Sequence, residues 1–196
     1  MEELTIRSAS FDDEELVGAL LTVSFADDPF VRWILPDPRK FVADSHSHPR
    51  RAYASAFESE TVHVVGNNAG AAVWLPPGSK KRNQSEETAP PDNGVDPGMP
   101  PEFAELMAQS AAYCPTEPHW YLGLIAVDPI HRGKRVGTKL LQHGLGLCDR
   151  DGVPAYLEST NAANLALYQR AGFELLAKVQ VGQSPARYPM LRPAQK

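Results

Sequence analysis

The sequence predicts a mixed α/β (α+β) protein whose central sheet has about seven strands and carries helices on both faces. Strand and helix patterns alternate in the second half of the chain, which is typical of a sheet covered by helices. In the first half, β-prone runs at 62–65 and 71–75 flank a turn rich in glycine and asparagine, which predicts a hairpin. The 196 residues suit one domain with a sizeable core.

The region before the hairpin is predicted to be mostly helical. Ser10 is the expected cap of the first helix, whose first turn holds four acidic residues. A second helical segment at about 27–35 is expected to end at Pro36-Asp37-Pro38, and a third helix is predicted at 46–58. His63 lies among valines in the first hairpin strand, and we interpret it as a structural residue.

Residues 76–101 form a region of low complexity, with seven prolines and three glycines. A structureless segment of this length is unusual inside a compact domain. We therefore interpret it as a mobile loop or a lid over the substrate side. The sheet needs strands from both sides of this loop, so we treat 1–196 as one domain.

Composition and charge exclude several classes of protein. A formal net charge of −5 does not indicate a nucleic-acid binder. Cys114 and Cys148 lie in unrelated segments, and no Cys/His cluster has zinc spacing, so we predict neither a disulfide framework nor a metal site. The chain has no apolar run of membrane-spanning length and no signal-peptide pattern at its start. We expect a cytoplasmic protein without nucleic-acid or membrane partners.

The most informative stretch is 122–141, LGLIAVDPIHRGKRVGTKLL. Its apolar start predicts a strand that stops at Asp128-Pro129, because proline cannot donate to a ladder. A basic, glycine-containing loop then opens a helix, which presents free N–H groups and a positive helix end at one place. That place suits a phosphate, although an ordinary solvated turn has the same pattern. The glycine patterns of nucleoside triphosphatases and dinucleotide enzymes are absent.

Two motifs resemble those of the GNAT superfamily of N-acetyltransferases. The loop is similar to [QR]-x-x-G-x-[GA], with Arg132 first, Gly137 last and Arg135 in place of the middle glycine. Residues 161–174 resemble the family's segment that joins asparagine, tyrosine and a Gly-Phe pair. The resemblance covers about residues 118–192, where the sequence is particularly similar to the puromycin N-acetyltransferase group.

The resemblance implies the GNAT fold and the use of acetyl-CoA as co-substrate. The central strand and the next strand are expected to splay apart, so that the pantetheine arm pairs with the strand edge and an N–H near Leu124 or Ile125 stabilises the oxyanion. Twelve residues are the expected cofactor contacts: Ile125, Ala126, Val127, Arg132, Gly133, Lys134, Arg135, Val136, Gly137, Thr138, Asn164 and Tyr168.

Arg135 is the departure from the motif that bears most on cofactor binding. We expect it to have a right-handed helical backbone with its side chain pointing outward, because a left-handed backbone favours glycine. In that geometry it adds a contact to a phosphate of CoA. Otherwise it weakens the binding of CoA, which leaves room for a protein that binds without catalysis.

The same resemblance gives candidate catalytic residues. Tyr168 matches the general acid that protonates the departing thiolate, and its ordinary pKa near 10 keeps it protonated at neutral pH. The alternative is a buried aromatic residue of the helix. Glu158, His119 and Glu117 are the candidate bases for the amine, in that order, and a water relay is the remaining possibility.

The acceptor is expected to be a primary amine of a small molecule, such as a metabolite or an antibiotic. Phe25, Phe30 and Trp33 are the expected lining of its site together with Glu158, unless the aromatic residues belong to the core. Two other functions stay open: a non-catalytic acyl-CoA-binding module, and a peptide or protein N-acetyltransferase. The sequence does not distinguish a monomer from a homodimer.

Overall fold

The structure is a computed structural model that describes residues 5–66, 68–79 and 98–195, without the side chains of 46–52. Within this part, seven strands form one sheet. They are β1 (Ile6–Ser8), β2 (Val62–Val65), β3 (Gly70–Leu75), β4 (Trp120–Val127), β5 (Ala155–Ser159), β6 (Glu174–Leu175) and β7 (Tyr188–Arg192). The described α-helices are α1 (Glu14–Ser24), α2 (Pro29–Ile34), α3 (Pro38–Glu58), α4 (Phe103–Ala111), α5 (Val136–Asp151) and α6 (Leu165–Arg170). Most of the predicted loop, 80–97, lies outside the described residues.

The strands lie in the order β1-β2-β3-β4-β5-β7-β6. β4 and β5 are parallel, and the other neighbours pair antiparallel, so the sheet is mixed. Helices α1 and α3 cover one face, where Val17, Phe57 and Val73 are buried. α5 and α6 cover the other face, where Trp74 and Leu140 are buried. This confirms the predicted sheet of about seven strands with helices on both faces.

The starts of the helices follow the capping rules. Ser10 accepts from the Asp12 N–H at the start of a short 3₁₀ turn that leads into α1, as predicted. Asp28 caps α2. The predicted start of the third helix at residue 46 was wrong, because Asp37 accepts from the Arg39 N–H and Pro38 occupies the first turn. Pro36 thus follows the end of α2, and Pro38 begins α3.

The sequence of 173–181 and 186–191 predicts an antiparallel pair of strands that closes the sheet. The first of these strands was wrong for most of its length, because within 173–181 only β6 pairs with β7, followed by one isolated bridge between Val179 and Arg187. Ala177, Val179 and Val181 instead pack against Phe30 and α4. Tertiary packing therefore overrides the β propensity of this segment.

His63 on β2 is buried beneath α5. Its ring meets that of His143 edge-on, with centroids 4.4 Å apart, and only 3% of the residue is exposed. Its Nδ1 has no hydrogen-bond partner among the residues described. Burial, with a smaller effect of the His143 charge, lowers the pKa of His63 from 6.5 to about 4. This placement supports its structural role.

We expect the protein to lose stability as the pH falls from about 6.5 toward 4, because the unfolded chain binds a proton at His63 in this range and the folded chain does not. The full loss, which is reached below pH 4, is roughly 3 kcal/mol. Urea unfolding across this range measures it. The loss should shrink in His63→Leu, and less so in His143→Gln. Equal pH slopes in the parent and His63→Leu would contradict the prediction.

Candidate active site

The site begins where β4 and β5 separate. They pair only from Trp120 to Leu122 on β4 and from Ala155 to Leu157 on β5. Beyond that point, β4 continues to Val127 paired with β3 alone. The predicted splay of the two strands is therefore confirmed. One edge of β4 from Gly123 onward faces a slot rather than a neighbouring strand.

The basic loop after β4 contains two left-handed residues. Gly133 has a φ of +76° and Arg135 a φ of +64°. The expected right-handed backbone of Arg135 was wrong, because the chain reverses between the 3₁₀ turn at Pro129–His131 and the start of α5. The Arg135 carbonyl accepts from the Lys139 N–H at 3.0 Å, so Arg135 immediately precedes the helix and closes its first turn.

We expect Arg135→Gly to raise the free energy of unfolding by roughly 1 kcal/mol, because glycine adopts a positive φ without the steric cost of a Cβ. Urea denaturation measures this change. Arg135→Ala is the control, since it removes the same charge but keeps the Cβ. Equal stabilities of the two variants would mean that the left-handed backbone stores no strain.

A cleft of about 520 Å³ lies over this loop. Its walls come from the end of α1, the end of β4, the basic loop and the start of α6. Ten of the twelve predicted cofactor contacts line it: Ile125, Val127, Arg132, Gly133, Arg135, Val136, Gly137, Thr138, Asn164 and Tyr168. Ala126 is instead buried on the α1 and α3 face of the sheet, and Lys134 does not line the cleft. We refer to this space as the cofactor cleft.

A second cavity of about 200 Å³ lies on the other side of the slot. We call it the acceptor pocket. Apolar and aromatic side chains of α1, α2, β4 and β5 supply most of its lining, which includes Leu21, Phe25, Phe30, Val31, Ile34, Leu35, Tyr53, Tyr121, Leu124 and Leu157. Its charged lining residues, within the described part, are Asp44, Glu158 and Arg187.

Glu158 is held by four hydrogen bonds in the floor of this pocket. Its Oε1 accepts from Ser110 at 2.8 Å and from Tyr156 at 3.2 Å. Its Oε2 accepts from Arg187 at 2.8 Å and from Tyr121 at 3.5 Å. The side chains of Glu158 and Arg187 are 8% and 7% exposed. A buried carboxylate is therefore matched by a buried guanidinium, as such charges require.

The two cavities meet at four residues that line both of them: Phe25, Ile125, Asn164 and Tyr168. Tyr168 on α6 is 5% exposed. Burial, and secondly the charge of Asp28, raises the pKa of Tyr168 well above its ordinary value. Its hydroxyl therefore keeps its proton throughout the physiological pH range.

Asp28 and Thr160 tie the two sides of this junction together. Thr160 donates to the Asp28 carboxylate at 2.7 Å, and the other oxygen of Asp28 accepts from the N–H groups of Phe30 and Val31. Asp28 lines the cofactor cleft, whereas Thr160 lines the acceptor pocket. The pair therefore fixes α2, one wall of the pocket, to the end of β5.

The structure does not bring three of the predicted residues to the pocket. His119 lies beside the strand, with its Nδ1 2.8 Å from the Glu117 carbonyl oxygen and its ring against Tyr156. Neither His119 nor Glu117 lines the cofactor cleft or the acceptor pocket. Trp33 packs against Phe30 and Phe103 behind the pocket wall. Among the candidate bases, Glu158 alone lines the acceptor pocket.

Sequence reasoning missed Tyr53, Tyr121, Asp28 and Arg187 as parts of the site. Tyr53 donates to the carbonyl oxygen of Gly123 at 3.1 Å, and Gly123 lies at the point where the strands separate.

In the described part of the chain, no three His, Cys, Asp or Glu residues group as a metal site. No helix in that part has the length and apolar character needed to cross a membrane.

Comparison with known proteins bears on the family. Residues 100–173 match the Acetyltransferase (GNAT) family. An uncharacterized N-acetyltransferase of Schizosaccharomyces pombe is 30% identical over 71 residues, which are 36% of this chain and 29% of that protein. The match thus spans less than a third of the relative's length.

Solved acetyltransferases share the fold over nearly the whole chain. A Corynebacterium glutamicum structure named for histone acetyltransferase HPA2 and related acetyltransferase is 24% identical, covers 98% of this chain and 97% of its own, and has a TM-score of 0.69. The polyamine N-acetyltransferase of Drosophila melanogaster is 17% identical, covers 96% and 98%, and has a TM-score of 0.71. The chain therefore has the predicted GNAT fold, and its residues 100–173 match the model of that acetyltransferase family.

Proposed function

We propose that this protein transfers an acetyl group from acetyl-CoA to a primary amine of a small molecule, by direct transfer in a ternary complex. The meeting of the two cavities at Tyr168 carries the proposal. A cleft at a helix start, with Arg132 and Arg135 in its lining, suits the phosphates of a carrier, and a mostly apolar pocket suits the body of an amine. The reacting groups then meet in the slot between β4 and β5.

Gly137 supports the cofactor side of the proposal. A Cβ at this position would lie at ordinary contact distances, 3.5 Å from Val127 and 3.9 Å from Leu167. The protein's own packing therefore does not require glycine in this first turn of α5. Because Gly137 lines the cleft, a ligand that approaches the backbone closely explains the glycine better than packing does.

The residues at the junction have separate roles in the transfer. An N–H of β4 near Leu124 or Ile125 stabilises the carbonyl oxygen that gains charge. The amine nitrogen forms the new C–N bond as the C–S bond breaks. Tyr168 donates its phenolic proton to the departing sulfur. The proton of the amine leaves to Glu158 or to water.

Glu158 acts as the base only by exchanging one of its present hydrogen bonds. Three of its four contacts lie between 2.8 and 3.2 Å. The contact with Tyr121 is longer, at 3.5 Å. Tyr121 lines the pocket, so an incoming amine replaces this hydroxyl on Oε2 at the lowest cost.

The small cavity suits a small acceptor amine. A volume of about 200 Å³ accommodates one aromatic or aliphatic group beside the amine. The sequence similarity to the puromycin N-acetyltransferase group makes puromycin a first amine to test.

The second candidate function is that of a peptide N-acetyltransferase, and the third is that of a non-catalytic acyl-CoA-binding module. A cytoplasmic location, a single domain over 1–196 and a monomer or homodimer stay predictions.

Calorimetric titration with acetyl-CoA tests the cofactor side. We expect micromolar binding by the parent protein and a loss of at least about tenfold in Gly137→Asp, because a carboxylate there repels phosphate. The variant should fold, since its Cβ has room and an acidic residue suits a first turn. Gly146→Asp, where a Cβ meets open space on the same helix, is the matched control. Absence of binding by the parent at millimolar acetyl-CoA would sink the proposal.

Thiol release against an amine panel tests the transfer. The panel contains puromycin, phenethylamine, a polyamine and short peptides. Release with small amines supports the proposal, and release with peptides alone favours the second candidate. Tight binding of acetyl-CoA without release from any amine identifies the non-catalytic module.

A further inference from the structure

Arg187 is a buried cation in the wall of the acceptor pocket. It lies on the bridge that precedes β7, its side chain is 7% exposed, and its guanidinium carbon lies 5.0 Å from the centre of the Phe30 ring. It lines the same pocket as Glu158 and Phe30. No motif or expected role in the sequence includes it.

The guanidinium has more hydrogen-bond donors than strong acceptors. An arginine side chain carries five N–H donors. In the described part of the chain, one terminal nitrogen donates to Glu158, the other contacts the sulfur of Met107, and Nε has no partner. A thioether is a weak acceptor. A buried guanidinium in this state still has N–H donors for a further oxygen acceptor.

Glu158 does not supply that acceptor. Each of its two carboxylate oxygens already accepts two hydrogen bonds. Those from Ser110 and Tyr156 are on Oε1. The charges of Glu158 and Arg187 balance each other, so the pair requires no further ion. The missing acceptor is therefore a neutral oxygen, and the pocket is the space from which it comes.

Resting on the proposed function, we propose that Arg187 selects acceptor amines that also carry a neutral carbonyl oxygen, as amino-acid amides and peptide N-termini do. A free carboxylate would add to the carboxylates of Glu158 and Asp44 that line the pocket, and a second ammonium would face the guanidinium. A carbonyl avoids both costs and satisfies an N–H of Arg187. Free amino acids and diamines are then the poorer substrates.

The test compares phenylalaninamide, phenethylamine and phenylalanine, which differ at one group, and adds 1,5-diaminopentane as a diamine. Thiol release gives kcat/KM for each with the parent and with Arg187→Met. The ratio of phenylalaninamide to phenethylamine should fall by about tenfold in the variant, as expected for one lost hydrogen bond to a charged group. Comparing ratios between proteins cancels the different basicities of the two amines.

Two further variants separate selectivity from folding. Arg187→Met leaves Glu158 as an uncompensated buried charge, so Arg187→Lys, which keeps a cation beside Glu158 but removes the planar guanidinium, is measured beside it. Arg192→Met is the matched control, because Arg192, at the end of β7, is a buried arginine that pairs with Asp149 of α5 and lies outside the acceptor pocket. Arg187→Lys should lose the preference for the amide, and Arg192→Met should retain it.

Each outcome decides the proposal. The proposal is supported if the parent protein prefers phenylalaninamide and this preference is lost when Arg187 is replaced. Phenylalanyl-glycyl-glycine in the same assay distinguishes an amide from a peptide N-terminus as the source of the carbonyl. An unchanged ratio in both Arg187 variants overturns the inference and leaves the acetyltransferase intact. No thiol release from any amine overturns the proposed function and the inference together.

Discussion

Tyr168→Phe is expected to lower kcat for acetyl transfer by about 100-fold or more, with the dissociation constant of acetyl-CoA unchanged. The substitution removes only the hydroxyl, and the ring that lines both cavities stays in place. Without its proton donor, the departing sulfur leaves as a thiolate, whereas the contacts that bind CoA are not altered. Single-turnover thiol release and calorimetry measure the two quantities separately.

The pH dependence sharpens this prediction. Burial raises the pKa of Tyr168 well above 10, so the hydroxyl stays protonated and contributes no fall in kcat at moderately alkaline pH. Tyr113→Phe serves as the control, because Tyr113 is 41% exposed and lines neither cavity. If Tyr168→Phe turned over like this control, the acid would have to be another group or water.

The cofactor side could be predicted because its residues are contiguous in the chain. A strand, a loop and a helix start follow one another between 120 and 138, and local rules place the N–H groups, the positive helix end and the basic residues together. Arg135 is the exception within this stretch. Its left-handed backbone depends on how the helix docks on the sheet, which local sequence does not encode.

The acceptor side could be predicted only in part because distant segments build it. Phe25 and Phe30 come from the first two helices, Glu158 from β5 and Arg187 from the bridge before β7. Glu158 meets Arg187 because β7 enters the sheet directly beside β5, and β6 lies outside it. That order requires the whole topology, so neither the partner of Glu158 nor the displacement of Trp33 followed from spacing.

Gly144→Ala has the largest expected effect on stability. A Cβ at Gly144 would overlap the Nε1, Cε2 and Cδ1 atoms of the Trp74 indole. Trp74 is fully buried in β3, so the ring has no free space into which to move. We expect the free energy of unfolding to fall by about 3 kcal/mol, at the upper end for overpacked cores. Urea denaturation followed by tryptophan fluorescence measures this change.

Gly146→Ala on the same helix is expected to change stability in the opposite direction. A Cβ at Gly146 meets nothing within 4 Å, so alanine brings only its better helix propensity, worth about 1 kcal/mol. The same substitution two residues apart therefore separates packing from propensity. A Gly144→Ala protein as stable as Gly146→Ala would mean that α5 does not sit against Trp74.

The packing at Gly144 also bears on the proposed binding of acetyl-CoA, because α5 begins at the cofactor cleft. If alanine pushes the helix away from the sheet, its first turn moves relative to the edge of β4, and acetyl-CoA should bind more weakly in Gly144→Ala than in Gly146→Ala. Trp74→Phe removes part of the indole, so adding it to Gly144→Ala should restore part of both losses. Recovery of stability without recovery of binding would show that the helix start and the helix centre are not rigidly coupled.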